Sequence, residues 1–245
     1  KMAFEREYNF YSFDAYPDGL VKVSSIFRAL QQLAREDMDN SGVTYPSMRK
    51  DNIVFVLIKL RLKLYKKLSI YDKYTVKTIP IEISGIYFIR DFFIKDSEGN
   101  IVGEATSSWV LINYVTRRPQ RPSALKQTMP HCDEVRSSLS LSRTINCEQN
   151  INSTYRSVLL SDMDENNHLN NAVIVDYITD QFADEIIDGK YVSEIEVHFH
   201  KEAHYGTVLD IGKFHSDEDN KFAVCADFPE TGDNAFLCEI SLTNK

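Results

Sequence analysis

The chain repeats one order of secondary structure elements, and this repeat limits its possible folds more than any other feature. In the first half, a strand that starts at Phe4 is followed by a helix and then by four strands. In the second half, a strand that starts at Ser153 is again followed by a helix and four strands. Because one helix cannot cover such a sheet alone, we expect the two halves to pack together. The predicted fold class is therefore α+β, with two similar layers.

The two predicted helices are identified by apolar residues at helical spacing. The first covers residues 25–40, where Ile26, Ala29 and Leu33 recur three or four positions apart. The second covers residues 171–187 and ends at an Asp-Gly pair. Between the halves, residues 116–134 contain three prolines and no sustained period, which is typical of a surface linker. We therefore predict an N-terminal domain with its linker over residues 1–130 and a C-terminal domain over residues 131–245.

Composition and charge narrow the class of protein. Apolar residues make up 43% and charged residues 26% of the 245 positions, which is close to the average of globular proteins. The net charge of −8 disfavours nucleic acid or an anionic membrane as a partner. No apolar run approaches the ~20 residues that a membrane span needs. The four cysteines form no CxxC pair and the first ten residues are not apolar, so we expect a reduced, cytosolic protein.

The densest polar segment, SDMDENNHLNN at residues 161–171, precedes the second predicted helix. In an extended loop, Asp164, Asn166 and His168 would project to the same side. The helix N-terminus beside them supplies free N–H groups, and Asn166 can donate a hydrogen bond to a developing oxyanion. His168 can hold or transfer a proton near neutral pH. The alternative interpretation is a solvated capping loop, because Asp and Asn commonly precede helices.

A second polar cluster covers residues 194–206, where acidic side chains and histidines alternate with apolar ones. It has three interpretations. The first is a solvated strand face, and the second is a zinc site that uses His198 and His200. The third makes Glu202 a base or nucleophile that faces His168. The alternation of polar and apolar residues cannot decide between these interpretations, because a bulge at His200 or Lys201 would exchange the buried and exposed faces of the strand. No phosphate-binding or dinucleotide-binding glycine motif is present, so no cofactor is predicted.

These segments resemble a known family. Residues 164–171 match the pattern D-x-N-x-H-[VL]-N-N in the active-site loop of the acyl-acyl carrier protein thioesterases of plants and their bacterial relatives. Residues 199–206, FHKEAHYG, resemble that family's strand with an essential glutamate. Residues 105–110, ATSSWV, and 116–121, TRRPQR, resemble two further family segments. In plant members a cysteine follows the glutamate, whereas this chain has Ala203, so no cysteine-nucleophile scheme applies here.

The resemblance implies a tandem hotdog fold and hydrolysis of the thioester between a fatty acyl chain and acyl carrier protein, without metal or cofactor. Glu202 would be the general base or the nucleophile, and His168 would hold water or protonate the leaving thiolate. Asn166 would donate to the thioester oxygen, and Asp164 would orient the loop. Two alternatives stay open, namely an acyl-CoA thioesterase of the hotdog type and a non-catalytic acyl-binding module. The preferred acyl chain length has no visible signature, and a homodimer is compatible with the sequence.

The implied partner suggests a docking surface. Acyl carrier protein is acidic in this family's reaction, and this chain is itself negative, so a local basic patch must supply the attraction. One candidate is the stripe of Lys59, Arg61 and Lys63 along one face of a strand. The other is the start of the linker, with Arg117, Arg118 and Arg121.

Overall fold

The computed structural model describes residues 3–127, 129, 132, 134–216, 218 and 220–244. The first half contains β1 (Phe4–Tyr8), α1 (Val23–Asn40), α2 (Tyr45–Lys50), β2 (Ile53–Leu64), β3 (Tyr74–Ser84), β4 (Tyr87–Lys95) and β5 (Ile101–Asn113). The second half contains β6 (Gln149–Ser157), α3 (Asn171–Asp180), α4 (Ala183–Ile187), β7 (Lys190–Phe199), β8 (Val208–His215), β9 (Lys221–Asp227) and β10 (Asn234–Asn244). The predicted repeat of a strand, a helical segment and four strands is thus present twice.

The described strands form one antiparallel sheet in the order β1-β3-β4-β5-β2-β7-β10-β9-β8-β6. The two halves join edge to edge at its centre, where β2 pairs with β7 from Lys59 opposite His198 to Lys63 opposite Glu194. Leu60 of β2 and Val197 of β7 are fully buried in one apolar cluster with residues of both long helices. Burial of apolar surface on one face of this sheet therefore holds the halves together, as the sequence predicted.

The second predicted helix is wrong in one respect, because residues 171–187 form two helical segments. The chain breaks between α3 and α4 at Phe182, whose φ of −123° and ψ of 23° are not helical. The Gln181 carbonyl accepts a hydrogen bond from Lys213 Nζ at 3.1 Å, and the Phe182 ring is fully buried. Packing of Phe182 and this side-chain contact therefore outweigh the local preference for a continuous helix. No helix in the described part of the chain is long and apolar enough to cross a membrane.

The alternation of polar and apolar residues favours a strand from Val192 to Ala203, but β7 ends at Phe199. Beyond it, the amides of His200 and Lys201 both donate to the Ala235 carbonyl, at 2.9 and 3.3 Å. Two successive donors on one acceptor interrupt the regular ladder, as in a bulge. Residues 200–203 consequently leave the sheet, and Glu202 lies in a loop.

Residues 137–143, the crossing segment between β5 and β6, pass over the sheet face opposite the helices. Ser138 donates through its amide to Glu104 of β5 at 3.1 Å, and Ser142 donates through its amide to Glu196 of β7 at 2.7 Å. Glu104 and Glu196 are only 4% and 2% exposed, so these bonds satisfy buried carboxylates. Residues 137–143 thereby connect the two halves. The predicted domain boundary at residues 130 and 131 lies outside the described residues.

The loops that lead into α1 and α3 share one backbone geometry. The amide of Lys22 donates to the Asp14 carbonyl at 2.7 Å, and that of Asn170 donates to the Asp162 carbonyl at 2.9 Å. Each loop also has one residue with positive φ at the same place, Gly19 at 81° and Asn167 at 64°. The second loop is therefore a structural copy of the first.

The side chains of these two loops differ. Tyr16, Asp18 and Leu20 occupy the positions that correspond to Asp164, Asn166 and His168, as the matching hydrogen bonds Tyr16 N to Leu20 O and Asp164 N to His168 O indicate. The first loop thus keeps the backbone of the polar segment without its imidazole or its amide.

Candidate active site

The polar loop before α3 is a compact turn. The Asp164 amide donates to the His168 carbonyl at 3.0 Å, and the Asn167 amide donates to the Asp164 carbonyl at 3.1 Å. Asp164 Oδ1 accepts a hydrogen bond from the Asn166 amide at 2.8 Å. Asparagine tolerates the left-handed backbone that position 167 requires. The Asp164 carboxylate therefore shapes the loop, and Asn166 and His168 project from it.

His168 and Glu202 are in contact. His168 Nε2 lies 3.1 Å from Glu202 Oε2, and the two side chains are 18% and 34% exposed. The Leu169 amide donates to the Ala203 carbonyl at 2.8 Å, which holds the loop after β7 against the loop before α3. The end of β7 at Phe199 makes this contact possible, because it frees Glu202 from the sheet.

The pKa of His168 is lowered from its ordinary value. Burial is the largest cause, and the positive charge of Arg117 and the neighbouring His204 also lower it, whereas Asp164 raises it. A lowered pKa favours the neutral imidazole at pH 7. A neutral imidazole carries one N–H, so donation through Nε2 to Glu202 leaves Nδ1 as an acceptor.

Asn166 is oriented by two residues of α2. The Tyr45 hydroxyl donates to Asn166 Oδ1 at 2.7 Å, and Arg49 Nη1 donates to the Tyr45 oxygen at 3.2 Å. Because Arg49 can only donate, the Tyr45 proton must point to Asn166, which fixes the orientation of the amide. No hydrogen bond within the described residues uses Asn166 Nδ2. This N–H₂ group is therefore available to a bound molecule.

Arg117 reaches the same site from the turn after β5. Its Nη2 atom forms an ion pair with Glu202 Oε1, and the two side chains are 35% and 34% exposed. The charge of Arg117 is therefore paired with Glu202, and its predicted part in docking stays a prediction. Sequence reasoning missed this contact and that of Tyr45, because each joins residues that are distant in the chain.

An apolar cavity of about 910 Å³ lies in the N-terminal half and meets the polar loop. Asp164 and Asn166 line one part of it. Most of the remaining wall is apolar, with side chains from the α1–α2 region and from the sheet: Val43, Met48, Phe55, Ile81, Phe88 and Trp109. Polar side chains of α1, among them Gln31, Gln32 and Arg35, also line it. Arg90 also lines the wall and is held by Asp37, with 2.8 Å between Nη1 and Oδ2. The cavity has the volume and lining of a site for a largely apolar ligand.

Two family models together cover most of the chain. The acyl-ACP thioesterase N-terminal domain matches residues 1–124, and the acyl-ACP thioesterase C-terminal domain matches residues 145–241. The chain belongs to the acyl-ACP thioesterase family.

Relatives within this family are distant. Oleoyl-acyl carrier protein thioesterase 2 of Arabidopsis thaliana is 25% identical over 208 residues, which are 77% of this chain and 56% of that protein. Oleoyl-acyl carrier protein thioesterase 1 of the same plant is 23% identical over 229 residues, which are 85% of this chain and 63% of that protein. The chain thus spans a little over half the length of these relatives.

Solved structures show the same fold. A crystal structure of an acyl-ACP thioesterase from Bacteroides thetaiotaomicron has a TM-score of 0.87 at 22% identity, with 98% of each chain covered. The 12:0-ACP thioesterase from Umbellularia californica has a TM-score of 0.82 at 18% identity, with 99% of this chain and 98% of that chain covered. The expected tandem hotdog fold is confirmed.

The predicted basic stripe on β2 is not an open surface in this member of the acyl-ACP thioesterase family. Lys59 Nζ donates to the Ser142 carbonyl at 2.6 Å. Arg61 Nε donates to Glu194 Oε1 at 2.6 Å, and Lys63 Nζ lies 3.8 Å from the other oxygen of the same carboxylate. The crossing segment and Glu194 therefore contact or neutralise these charges, and docking of acyl carrier protein at this stripe stays a prediction.

His198 of β7 and His200, which follows the strand, give little support to a zinc site. His198 is 2% exposed, and its Nε2 lies 2.8 Å from Glu196 Oε1. The ring centroids of His198 and His200 are 6.4 Å apart. Across the described residues, no group of three or more His, Cys, Asp and Glu side chains is arranged to hold a metal ion. His198 instead pairs with a carboxylate beneath the crossing segment.

Proposed function

We propose that this chain hydrolyses the thioester of a fatty acyl-acyl carrier protein and releases a free fatty acid and the carrier protein. One observation carries the proposal: Asn166 lines the largely apolar cavity and lies in the same loop as His168, which contacts Glu202. Membership of the acyl-ACP thioesterase family supports the same conclusion. The cavity would hold the acyl chain, and the loop would hold the thioester.

Each polar side chain has a part in this reaction. Asn166 Nδ2 would donate to the thioester oxygen as negative charge develops on it, and such a donor is worth ~10²–10³-fold in rate. If Glu202 acts as the general base, the water oxygen bonds to the acyl carbon while its proton moves to Glu202. The carbon–sulfur bond then breaks, and a proton returns through His168 to the thiolate. A positioned acid or base contributes ~10²–10⁴-fold.

Glu202 has an alternative part as the nucleophile. Its carboxylate would bond to the acyl carbon and expel the thiolate, which takes a proton from the site. Water would then hydrolyse the resulting anhydride and restore the carboxylate. Label in Glu202 after a single turnover in ¹⁸O-labelled water would establish this route, because the general-base route never places a water oxygen in the carboxylate. The label enters when water attacks the glutamyl carbonyl of the anhydride.

A panel of acyl chains tests the proposed reaction. Each chain is offered on acyl carrier protein and on CoA, and free fatty acid is measured. We expect turnover with the carrier-bound substrates and a higher kcat/KM than with CoA. Equal or faster turnover on CoA would favour an acyl-CoA thioesterase, and binding without turnover would favour an acyl-binding module. The panel also measures the preferred chain length.

The candidate docking surface to test first is the segment after Arg117. Arg118 and Arg121 are exposed, and within the described residues neither forms an ion pair. We expect charge reversal of both to raise KM for acyl carrier protein and to flatten its salt dependence, because rim charges act mainly on association. Reversal of the exposed Lys67 and Lys73 changes the net charge equally and is the control. An unchanged KM in the arginine variant would place docking elsewhere.

Three further expectations belong to this proposal. The partner is acyl carrier protein with its phosphopantetheine-linked chain, and the location is cytosolic. The division into functional halves near residue 130 and a possible homodimer also stay predictions. Measurement of the mass in solution tests the last of these.

A further inference from the structure

The turn after β5 holds Arg117 in a defined position. The Arg117 amide donates to the Asn113 carbonyl, and the Asn113 amide donates to the Arg118 carbonyl, both at 2.9 Å. Asn113 Oδ1 also accepts hydrogen bonds from the amides of Val115 at 3.0 Å and Thr116 at 2.8 Å. Backbone and side-chain bonds thus close the turn from both sides.

The backbone of Arg117 adopts a conformation that arginine rarely takes. Its φ is 58°, in the left-handed region. The other non-glycine residues with positive φ in the described chain are Asn52, Asn167 and Asn220, and asparagine tolerates this region best. Residues held in such conformations cluster at functional sites, where other contacts compensate for the strain.

From this turn, Arg117 contacts one oxygen of the Glu202 carboxylate, and His168 contacts the other. Arg117 Nη2 contacts Oε1, and His168 Nε2 lies 3.1 Å from Oε2. A guanidinium stays protonated at every pH of interest and presents several donors in a fixed plane. Glu202 therefore cannot swing away from this position without losing a charge-assisted hydrogen bond to Arg117.

We propose that Arg117 is a positioning residue for the reaction, which holds the Glu202 carboxylate as an anion with Oε2 directed at His168. The role rests on the proposed thioester hydrolysis. It also gives the N-terminal half a direct part in the chemistry, since Arg117 follows β5 whereas Glu202 follows β7.

Arg117 is one of several charged or titratable groups around the imidazole. Glu202 and Asp164 favour the protonated form of His168, whereas Arg117 and His204 disfavour it. When the arginine charge is removed, the Glu202 and Asp164 carboxylates stabilise the protonated imidazole with less electrostatic opposition. The pKa of His168 should therefore rise, and that of Glu202 should rise as well, so the acid limb of the pH–rate profile should move to higher pH.

Kinetics of Arg117→Gln test this role. We expect kcat at pH 7 to fall by ~10–100-fold, the range for loss of a charge-assisted hydrogen bond, with KM changed less than about threefold. Arg6→Gln is the control, because it removes an arginine from the ion pair with Glu36, which is outside the site. Wild-type kcat together with an unshifted acid limb would overturn the proposal.

Arg117→Lys separates the effect of the positive charge from that of the guanidinium geometry. It also replaces the glutamine variant as the test if that variant does not fold. An ammonium keeps the charge but lacks the planar fork of donors. The lysine variant should therefore keep the low pKa of His168 and have a kcat between those of the wild type and the glutamine variant. A folded lysine variant with wild-type kcat would refute positioning by the guanidinium.

A measurement without substrate separates this proposal from the proposed function. The pKa of His168 is followed by NMR of the imidazole, with its signals assigned from their loss in His168→Gln. It should be higher in Arg117→Gln than in the wild type. An unchanged pKa would overturn the role of Arg117. A raised pKa in a protein that hydrolyses no acyl thioester would leave the contact established and refute the proposed function instead.

Discussion

Tyr45→Phe tests how far the N-terminal half controls the amide that would stabilise the oxyanion. The substitution removes only the hydroxyl that donates to Asn166 Oδ1 at 2.7 Å. The ring stays, and so do its contacts with the guanidinium groups of Arg35 and Arg49, whose carbon atoms lie 5.4 and 5.7 Å from its centroid. We therefore expect an effect on the orientation of Asn166 rather than on packing.

The size of the effect follows from this one hydrogen bond. A neutral hydrogen bond contributes about 0.5–1.5 kcal/mol net. If the whole contribution is lost in the transition state, kcat falls about 2- to 13-fold, since about 1.4 kcal/mol corresponds to a factor of ten. Asn166→Ala removes the donor itself and should lower kcat by ~10²–10³-fold.

The assay is a double-mutant cycle on one acyl-acyl carrier protein substrate. Because Tyr45 acts through Asn166, Tyr45→Phe combined with Asn166→Ala should be no slower than Asn166→Ala alone. Tyr71→Phe, at a side chain that is 84% exposed, is the control for loss of a tyrosine hydroxyl. Wild-type kcat in Tyr45→Phe, or effects that multiply in the double variant, would refute the reasoning.

Three other predictions address the site and the core. Glu202→Ala and His168→Ala should each lower turnover by at least ~10²-fold, and near-normal turnover in either folded variant would exclude that residue from the mechanism. Chelators should leave activity unchanged. Recovery of stoichiometric zinc whose removal abolishes activity would instead favour a zinc site at His198 and His200. Asp37→Leu should destabilise the protein by about 3–5 kcal/mol in urea unfolding, because it leaves the Arg90 charge buried, and a loss below about 1 kcal/mol would contradict this.

The tandem hotdog fold was predicted from the family resemblance, whereas periodicity predicted two halves with a helix and a sheet each, because the helices and most strands bury one face over many residues. Periodicity did not predict that β2 and β7 join the halves into one sheet. It failed where a contact from elsewhere in the chain decides the local structure. Lys213 binds the Gln181 carbonyl where a continuous helix was predicted. Alternation predicted the basic face of β2 correctly as a pattern of charges, but it carries no information on the segment around Ser142 that covers this face.

The candidate site was predicted only in part, for the same physical reason. His168 and Asn166 belong to one short segment, so their spacing made a shared site visible. Tyr45 and Asn166 are 121 positions apart, and no local pattern connects them. Arg117 was recognised as a cation near the linker, but its pairing with Glu202 depends on how the turn after β5 packs against the loop after β7.

The two matching loops before α1 and α3 have a consequence for specialisation. If the cavity holds the acyl chain, the half with Tyr16, Asp18 and Leu20 in its loop selects substrates without carrying the imidazole or the amide. In an assembly of identical copies, any substitution in the cavity would be repeated beside every reacting group. Here, a change such as Met48→Leu alters the cavity wall once and leaves the proton-transfer groups as they are. Substrate preference can therefore change at such wall positions, whereas Tyr45 and Arg117 are the points at which the N-terminal half also acts on the reacting groups.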